Sequence, residues 1–146
     1  MPRSQLYEED FYAWANEQAA LLRAGDLSRA DVEHIAQEIE SMGRTEKREL
    51  ASRLKVLIAH LLKWRFQPEK RTKSWEVSIR VQRRELADHL DDNPSLKPII
   101  GSVLEKAYPD AALVAVLETG LSETAFPQSC PWSFAQIMDE NFWPEG

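Results

Sequence analysis

Apolar residues recur along this chain at steps of three and four, and no stretch alternates with a period of two for long enough to suggest a strand. The pattern predicts an all-α protein. A first helix is expected from about Glu8 to Ala24, presenting Phe11, Trp14, Ala15, Leu21 and Leu22 on one side, with Gly25 in the left-handed conformation that ends it. Gln18 interrupts that stripe, so its amide needs a partner or the stripe's edge, while Glu8, Glu9 and Asp10 favour the amino end. A second helix is expected to start at Ser28, whose hydroxyl can cap the amide of Asp31 while that carboxylate reaches back, and to bury Val32, Ile35, Ile39 and Met42. Gly43 then stops it or bends it into a third helix.

The third helix, about Thr45 to Phe66, carries the clearest repeat: Leu50, Leu54, Leu57, Ile58, Leu61 and Leu62 form one face and should be the centre of the core. Pro68 ends it, because proline lacks the amide and restricts the residue before it. A fourth helix, about Thr72 to Leu90, turns Trp75, Ile79, Leu86 and Leu90 inward. Asn93 and Pro94 then suit the cap and first turn of a fifth. Ile100, Val103, Leu104, Ala107, Ala111, Val114 and Ala115 hold one phase across Pro109, which implies a kinked helix or two abutting ones. A short last helix, about Pro131 to Met138, leads to Phe142 and Trp143. The connections are short, so consecutive helices become antiparallel neighbours in a single up-and-down bundle of five to six helices over residues 1–146.

Composition adds boundaries to this picture. A chain of 146 residues with 43% hydrophobic and 29% charged side chains can close one core without staples. Cys130 is the single cysteine, which precludes an intrachain disulfide and points to a reducing compartment. It reads as a small buried hydrophobe, with no histidine nearby in sequence to activate it. The first eleven residues hold three acids and no apolar core of a secretory signal. The longest apolar run, Ala111 to Leu117, is far short of the roughly 20 residues that span a bilayer. A cytoplasmic location and no membrane partner are expected.

Charge is uneven along the chain, whose formal net charge is -6. Residues 1–62 hold 8 basic and 11 acidic side chains, residues 63–84 hold 8 and 2, and residues 85–146 hold 2 and 11. The basic stretch includes Lys70, Arg71, Lys73, Arg80 and Arg84, interleaved with Trp64, Phe66 and Trp75. It is a candidate surface for an anion or a protein partner. The same mixture can clamp phosphates and stack bases. It can equally pair with the acidic remainder of the chain, or with the acidic segment of a second copy in a homo-oligomer. The five aromatics Phe126, Trp132, Phe134, Phe142 and Trp143 concentrate in the tail, as a cap on the core or, if the last two are exposed, as partner anchors.

Four polar residues fall beside apolar stripes: Glu38 on the second helix, His60 on the third, and Gln82 with Arg83 on the fourth. They form a candidate polar pocket in which Glu38 pairs with Arg83 while His60 and Gln82 add donors toward a small anion or amide. The alternative is a satisfied network that fixes helix register. His34, His60 and His89 lie on three different helices, but none belongs to a metal-spacing motif, and neither a glycine-rich nucleophile elbow nor a phosphate loop is present. No catalytic residue, metal ligand or cofactor is assigned from the sequence.

The run His60, Leu61, Leu62, Lys63, Trp64, followed by Phe66, Gln67, Pro68, then Ser74, Trp75, Gln82, Arg83 and Asn93 to Leu96, resembles a family of small bacterial proteins known only as domain of unknown function number twenty-nine. Leu21, Leu22, Arg23 and Gly25, the Glu38, Ile39, Glu40 run, and Phe126, Pro127, Cys130 and Pro131 extend the resemblance from about Tyr7 to Trp143. It implies an all-helical fold and a bacterial source, and transfers no activity. The reading is therefore a non-catalytic interaction or regulatory module with an unknown protein partner. The alternatives are a nucleic-acid binder using residues 63–84 and an enzyme or ligand-binding protein with a pocket around His60.

Overall fold

The computed structural model describes residues 3–145, and all regular structure among them is helical. The helices are α1 (Arg3–Glu9), α2 (Phe11–Arg23), α3 (Val32–Phe66), α4 (Lys73–Asp92), α5 (Ile100–Thr119) and α6 (Phe134–Met138). Short 3-10 turns lie at Pro68–Lys70, Pro94–Ile99 and Glu123–Ala125. The all-α bundle expected from the periodicity is what forms. The chain divides into two compact units, Met1–Thr45 and Glu46–Gly146.

In the first unit, the helix expected over Glu8–Ala24 is broken at Asp10. Its backbone leaves the helical region, and its carboxylate accepts the amide of Ala13 at 3.1 Å, so Asp10 caps a new helix where continuation was expected. Gly25, at φ 72°, ends α2 as predicted. Trp14 and Gln18 are buried against the start of α3. Gln18 Oε1 accepts the amide of Asp31 at 2.6 Å, which gives its oxygen a partner, while its Nε2 is buried without one. The expected start at Ser28 is corrected by this bond. Ser28 donates to Asp26, and α3 begins at Val32 with Asp31 before it.

The expected burial of Val32, Ile39 and Met42 is also corrected: they are 60%, 61% and 65% exposed. The first unit packs on the neighbouring face of α3, through His34 and Glu38. Periodicity identified an apolar stripe but not which face α1 and α2 would cover. Gly43 neither stops nor separates helices, because it lies inside the 35-residue α3. Helix interiors tolerate glycine at about 1 kcal/mol relative to alanine, a cost that neighbouring turns absorb.

The second unit is built on the carboxyl half of α3. Leu50, Leu54, Leu57, Ile58, Leu61 and Leu62 have no exposed surface. Burying each such side chain stabilises by about 1.5–3 kcal/mol before entropy is counted. Pro68 follows the last turn, and Thr72 caps α4 by accepting the amide of Trp75 at 3.2 Å. Pairings of His89 with Glu46, Arg53 with Glu85, and Lys63 with the Trp75 ring run in opposite order along α3 and α4, so the two are antiparallel. Arg48 and Lys55 line one recess with Lys106 and Asp110, and Lys63 pairs with Glu118, so α5 runs alongside α3 in the same direction to Gly120 (φ 75°), which ends it.

Asn93 does not cap the expected fifth helix. Its side chain turns back to the His89 carbonyl, Pro94–Ile99 forms a 3-10 segment, and α5 starts at Ile100. α5 then runs unbroken past Pro109, and the two-helix alternative is not what forms. Ser133 forms a reciprocal capping box with Gln136 at the start of α6, which shortens the last helix to five residues. Phe126, Trp132 and Ile137 are buried, and Phe142 and Trp143 pack half-buried on the same core.

Candidate functional site

The sequence groups Glu38, His60, Gln82 and Arg83, and the fold uses each differently. In the first unit the Tyr7 hydroxyl donates a hydrogen bond to Glu38, which raises the Tyr7 pKa. Tyr7 stacks on His34 with ring centroids 4.0 Å apart, and His34 Nδ1–H and Trp14 Nε1–H both donate to Asp31 Oδ2, at 2.8 and 3.1 Å. Burial pushes the Asp31 carboxyl up, but these two donors outweigh it and hold the acid below its ordinary range. The result is a tied polar network that locks the α2 hairpin onto α3.

In the second unit His60 Nδ1–H donates along its own helix to the Val56 carbonyl at 2.9 Å, and Gln82 is half-buried. Arg83 is 2% exposed. Its Nε and Nη2 donate to the carbonyls of Ile137 and Phe142 at 2.7 and 2.8 Å, and its guanidinium lies 5.4 Å from the Trp143 ring centroid. Where the sequence suggests a pairing of Glu38 with Arg83, Glu38 is bonded to Tyr7 in the first unit and Arg83 to two tail carbonyls in the second. Arg83 holds the tail. The signal was out of reach of periodicity, because its acceptors are backbone carbonyls 54 and 59 residues away.

The basic stretch divides in the same way. Arg71 Nε donates to the Trp64 carbonyl at 2.7 Å and Nη2 to the Pro144 carbonyl at 3.2 Å, with the guanidinium 4.8 Å above the Trp64 ring. Lys63, 8% exposed, pairs with Glu118 at 2.8 Å. Lys73 and Arg80 approach Glu76 only loosely, both at 3.9 Å. Lys70, Lys73, Arg80 and Arg84 are exposed.

What the fold does bring together is a groove between α4 and the tail. Arg80, Arg83 and Arg84 line it with Trp143 and Asn141, and Glu76 and Glu140 complete its wall. Arg83 Nη1 is buried with no hydrogen-bond partner. Burial lowers the Arg83 pKa while Asp139 and Glu140 push it back, and the group stays charged at neutral pH. Three guanidinium groups and an indole therefore share one recess, with two exposed arginines at its mouth.

A second polar recess lies at the other end of α4. His89 is 7% exposed, and its Nε2–H donates to the Glu46 carbonyl at 2.9 Å. Its Nδ1 stands 3.7 Å from Glu46 Oε2 and 3.6 Å from Glu49 Oε2. Arg53 takes the other Glu49 oxygen, Oε1, at 2.8 Å and reaches Glu85 at 2.6 Å. The Arg53 hydrogen bond outweighs the opposing effect of burial and holds the Glu49 carboxyl below its ordinary range. The sequence signal for this cluster was Glu46 and Glu49 three apart on one helix, but His89 follows 40 residues later and only the antiparallel pairing of α3 with α4 brings it in.

A family model described as "Domain of unknown function DUF29" matches residues 6–143. The chain belongs to this family. The match spans both units of the DUF29 chain and agrees with the resemblance carried by the His60–Trp64 and Asn93–Leu96 runs. No curated protein and no solved structure matches the chain. The family description assigns no activity, so the roles of its groove and recess rest on their own chemistry. Among the described residues no helix is long and apolar enough to cross a membrane.

Proposed function

We propose that this DUF29 chain is a bacterial, cytoplasmic interaction module without chemistry of its own, which docks an acidic segment of a protein partner in the groove between α4 and the tail. The observation that carries this reading is the recess lined by Arg80, Arg83, Arg84 and Trp143. Arg83 supplies a fixed, poorly solvated positive charge beneath the groove. Arg80, paired only loosely with Glu76, and the exposed Arg84 stand at its rim to meet carboxylates, and the Trp143 ring offers apolar area beside them. Glu76 and Glu140 in the wall disfavour the closely spaced charges of a nucleic-acid backbone more than a sparse row of carboxylates.

The test is Trp fluorescence or calorimetry with a glutamate-rich peptide and, separately, a single-stranded oligonucleotide of equal charge. The peptide is expected to bind more tightly than the oligonucleotide, with an affinity that falls as salt rises. The Arg80→Glu/Arg84→Glu variant should weaken it at least about 10-fold, since rim charges set steering and modest affinity. Tighter binding of the oligonucleotide would move the function to nucleic acid, and peptide binding unchanged by the variant would remove the groove from it. Arg71 is unsuitable for this test because it holds Pro144.

A second contact surface follows from the apolar stripe of α3, on which Val32, Ile39 and Met42 are exposed and Ile35 is half-buried. Val32, Ile35, Ile39 and Met42 recur at steps of three, four and three, the spacing of a helix-pairing seam, and the small Ala36 and Gly43 flank it. Its occupant is a second copy of the same stripe, antiparallel. That arrangement sets Val32 against Met42 and Ile35 against Ile39, and brings Arg44 toward the acidic start of the partner helix at Asp31. Wild-type chain is expected to sediment as a dimer at tens of micromolar concentration and Ile39→Glu as a monomer. A monomeric wild type at that concentration would exclude the pairing.

A further inference from the structure

We propose that Glu46, Glu49 and His89 form a binding site for one divalent transition-metal ion, a property that the docking reading neither uses nor requires. The three side chains offer one imidazole nitrogen and two carboxylate oxygens that all lie within 4.8 Å of one another. The recess is more than a patch of acids. His89 is 7% exposed, and its Nε2–H is committed to the Glu46 carbonyl, which in the neutral ring leaves the Nδ1 lone pair directed at the two carboxylates. A backbone carbonyl fixing the tautomer of a ligating histidine is the usual outer support of such sites.

The separations favour an ion over a direct hydrogen bond. Nδ1 is 3.6 and 3.7 Å from the nearer carboxylate oxygens, too long for a hydrogen bond. An ion bonded at about 2.0–2.2 Å to each donor would hold them at separations of this order. Glu49 binds Arg53 through Oε1 and leaves Oε2 toward His89, so the arginine orients this ligand without occupying its free oxygen. Glu46 Oε2 has only a long 3.5 Å contact from Asn93. Glu85, Asp88 and Asp92 line the same recess and add negative charge around it, against the single positive charge of Arg53.

Donor chemistry selects the class of ion. An imidazole nitrogen with two carboxylates suits Zn²⁺, Mn²⁺, Fe²⁺ or Co²⁺, whereas Ca²⁺ and Mg²⁺ prefer all-oxygen sites. The Glu46 and Glu49 side chains are 43% and 39% exposed, so the remaining coordination positions open to water. Three protein ligands with open positions are the arrangement of a site that exchanges a ligand, not of a closed structural site.

The test is calorimetric titration of the chelator-treated full chain with Zn²⁺, repeated with Glu46→Gln/Glu49→Gln. Both carboxylates are half-exposed, so this variant should retain the fold. The wild type is expected to bind one ion here, and the variant to weaken that binding at least about 100-fold, beyond the 10–100-fold typical of outer-shell changes. A second measurement does not depend on the variant: Co²⁺ or Mn²⁺ added to ¹⁵N-labelled chain should broaden resonances around His89 first. Absence of Zn²⁺ binding at millimolar concentration, binding unaltered in the variant, or broadening centred on His34, His60 or Cys130 would each overturn the assignment. A protonated His89 bridging the carboxylates would give the first of these results.

Discussion

Replacing Arg83 with alanine is expected to lower the free energy of unfolding by about 3–5 kcal/mol, measured by urea denaturation. Its two hydrogen bonds, to Ile137 and Phe142, are charge-assisted and removed from water, and such bonds contribute roughly 1.5–3 kcal/mol each. Their loss strands two carbonyls in the tail. The substitution also removes the cation above the Trp143 ring, worth about 0.5–2 kcal/mol. Working against these terms is relief of a buried charge whose Nη1 has no partner. That relief keeps the expected loss below the sum.

The companion variant Arg83→Lys separates geometry from charge. An ammonium cannot reproduce the planar fork that reaches two carbonyls on different segments, so lysine should recover less than half of the loss. Arg71 cooperates in the same task from the other side of Trp64, through Pro144. A loss below about 1 kcal/mol for Arg83→Ala would show that aromatic packing of Trp132, Phe142 and Trp143 retains the tail unaided.

How much of this was legible in the sequence depends on the range of the interaction. The leucine face of α3, the stop at Pro68 and the left-handed Gly25 are decided by residues within a turn or two, and they read correctly. Asp10 was legible as a residue that favours a helix start, yet its ability to open a new helix depends on Trp14 and Gln18 being drawn toward Asp31. Gly43 is a weak breaker that its neighbours override. The exposed stripe at Val32, Ile39 and Met42 shows the limit of periodicity, which reports that a face is apolar and not that the same chain covers it.

The candidate sites lie at still longer range. The sequence placed Arg83 beside the core stripe and flagged it as needing partners, and these proved to be carbonyls beyond α5 where an acid on the second helix was expected. Arg80 and Arg84 were identified as surface, while their convergence with Trp143 required the tail to fold back on α4. Glu46 and Glu49 drew no attention, because an acid pair three apart on a helix is common on solvated faces. Only the buried His89 distinguishes this pair, and its burial is a tertiary fact.

Alkaline titration should expose a second large effect, centred on Tyr108. This residue is 2% exposed, its hydroxyl donates to the Pro127 carbonyl at 2.6 Å, and burial, with a smaller contribution from Cys130, pushes its pKa up to about 12. The unfolded chain ionises the same phenol near 10. Below pH 10 both states hold the proton and stability does not depend on it. Between 10 and 12 the unfolded state loses the proton while the native state keeps it. Unfolding then releases a proton, and the free energy of unfolding falls with rising pH. A shift of this size corresponds to a loss of up to roughly 2–3 kcal/mol by pH 12.

Other groups titrate in this range, so the measurement is a difference between wild type and Tyr108→Phe. At neutral pH the phenylalanine variant should be less stable by about 1 kcal/mol, because the Pro127 carbonyl loses its donor. As pH rises from 10 toward 12 the wild type alone pays the cost of protecting a neutral phenol, and the two stability curves should converge and cross. Parallel curves over that interval would show that Tyr108 ionises freely in the folded chain and that the contact between α5 and the Pro127 turn opens to solvent.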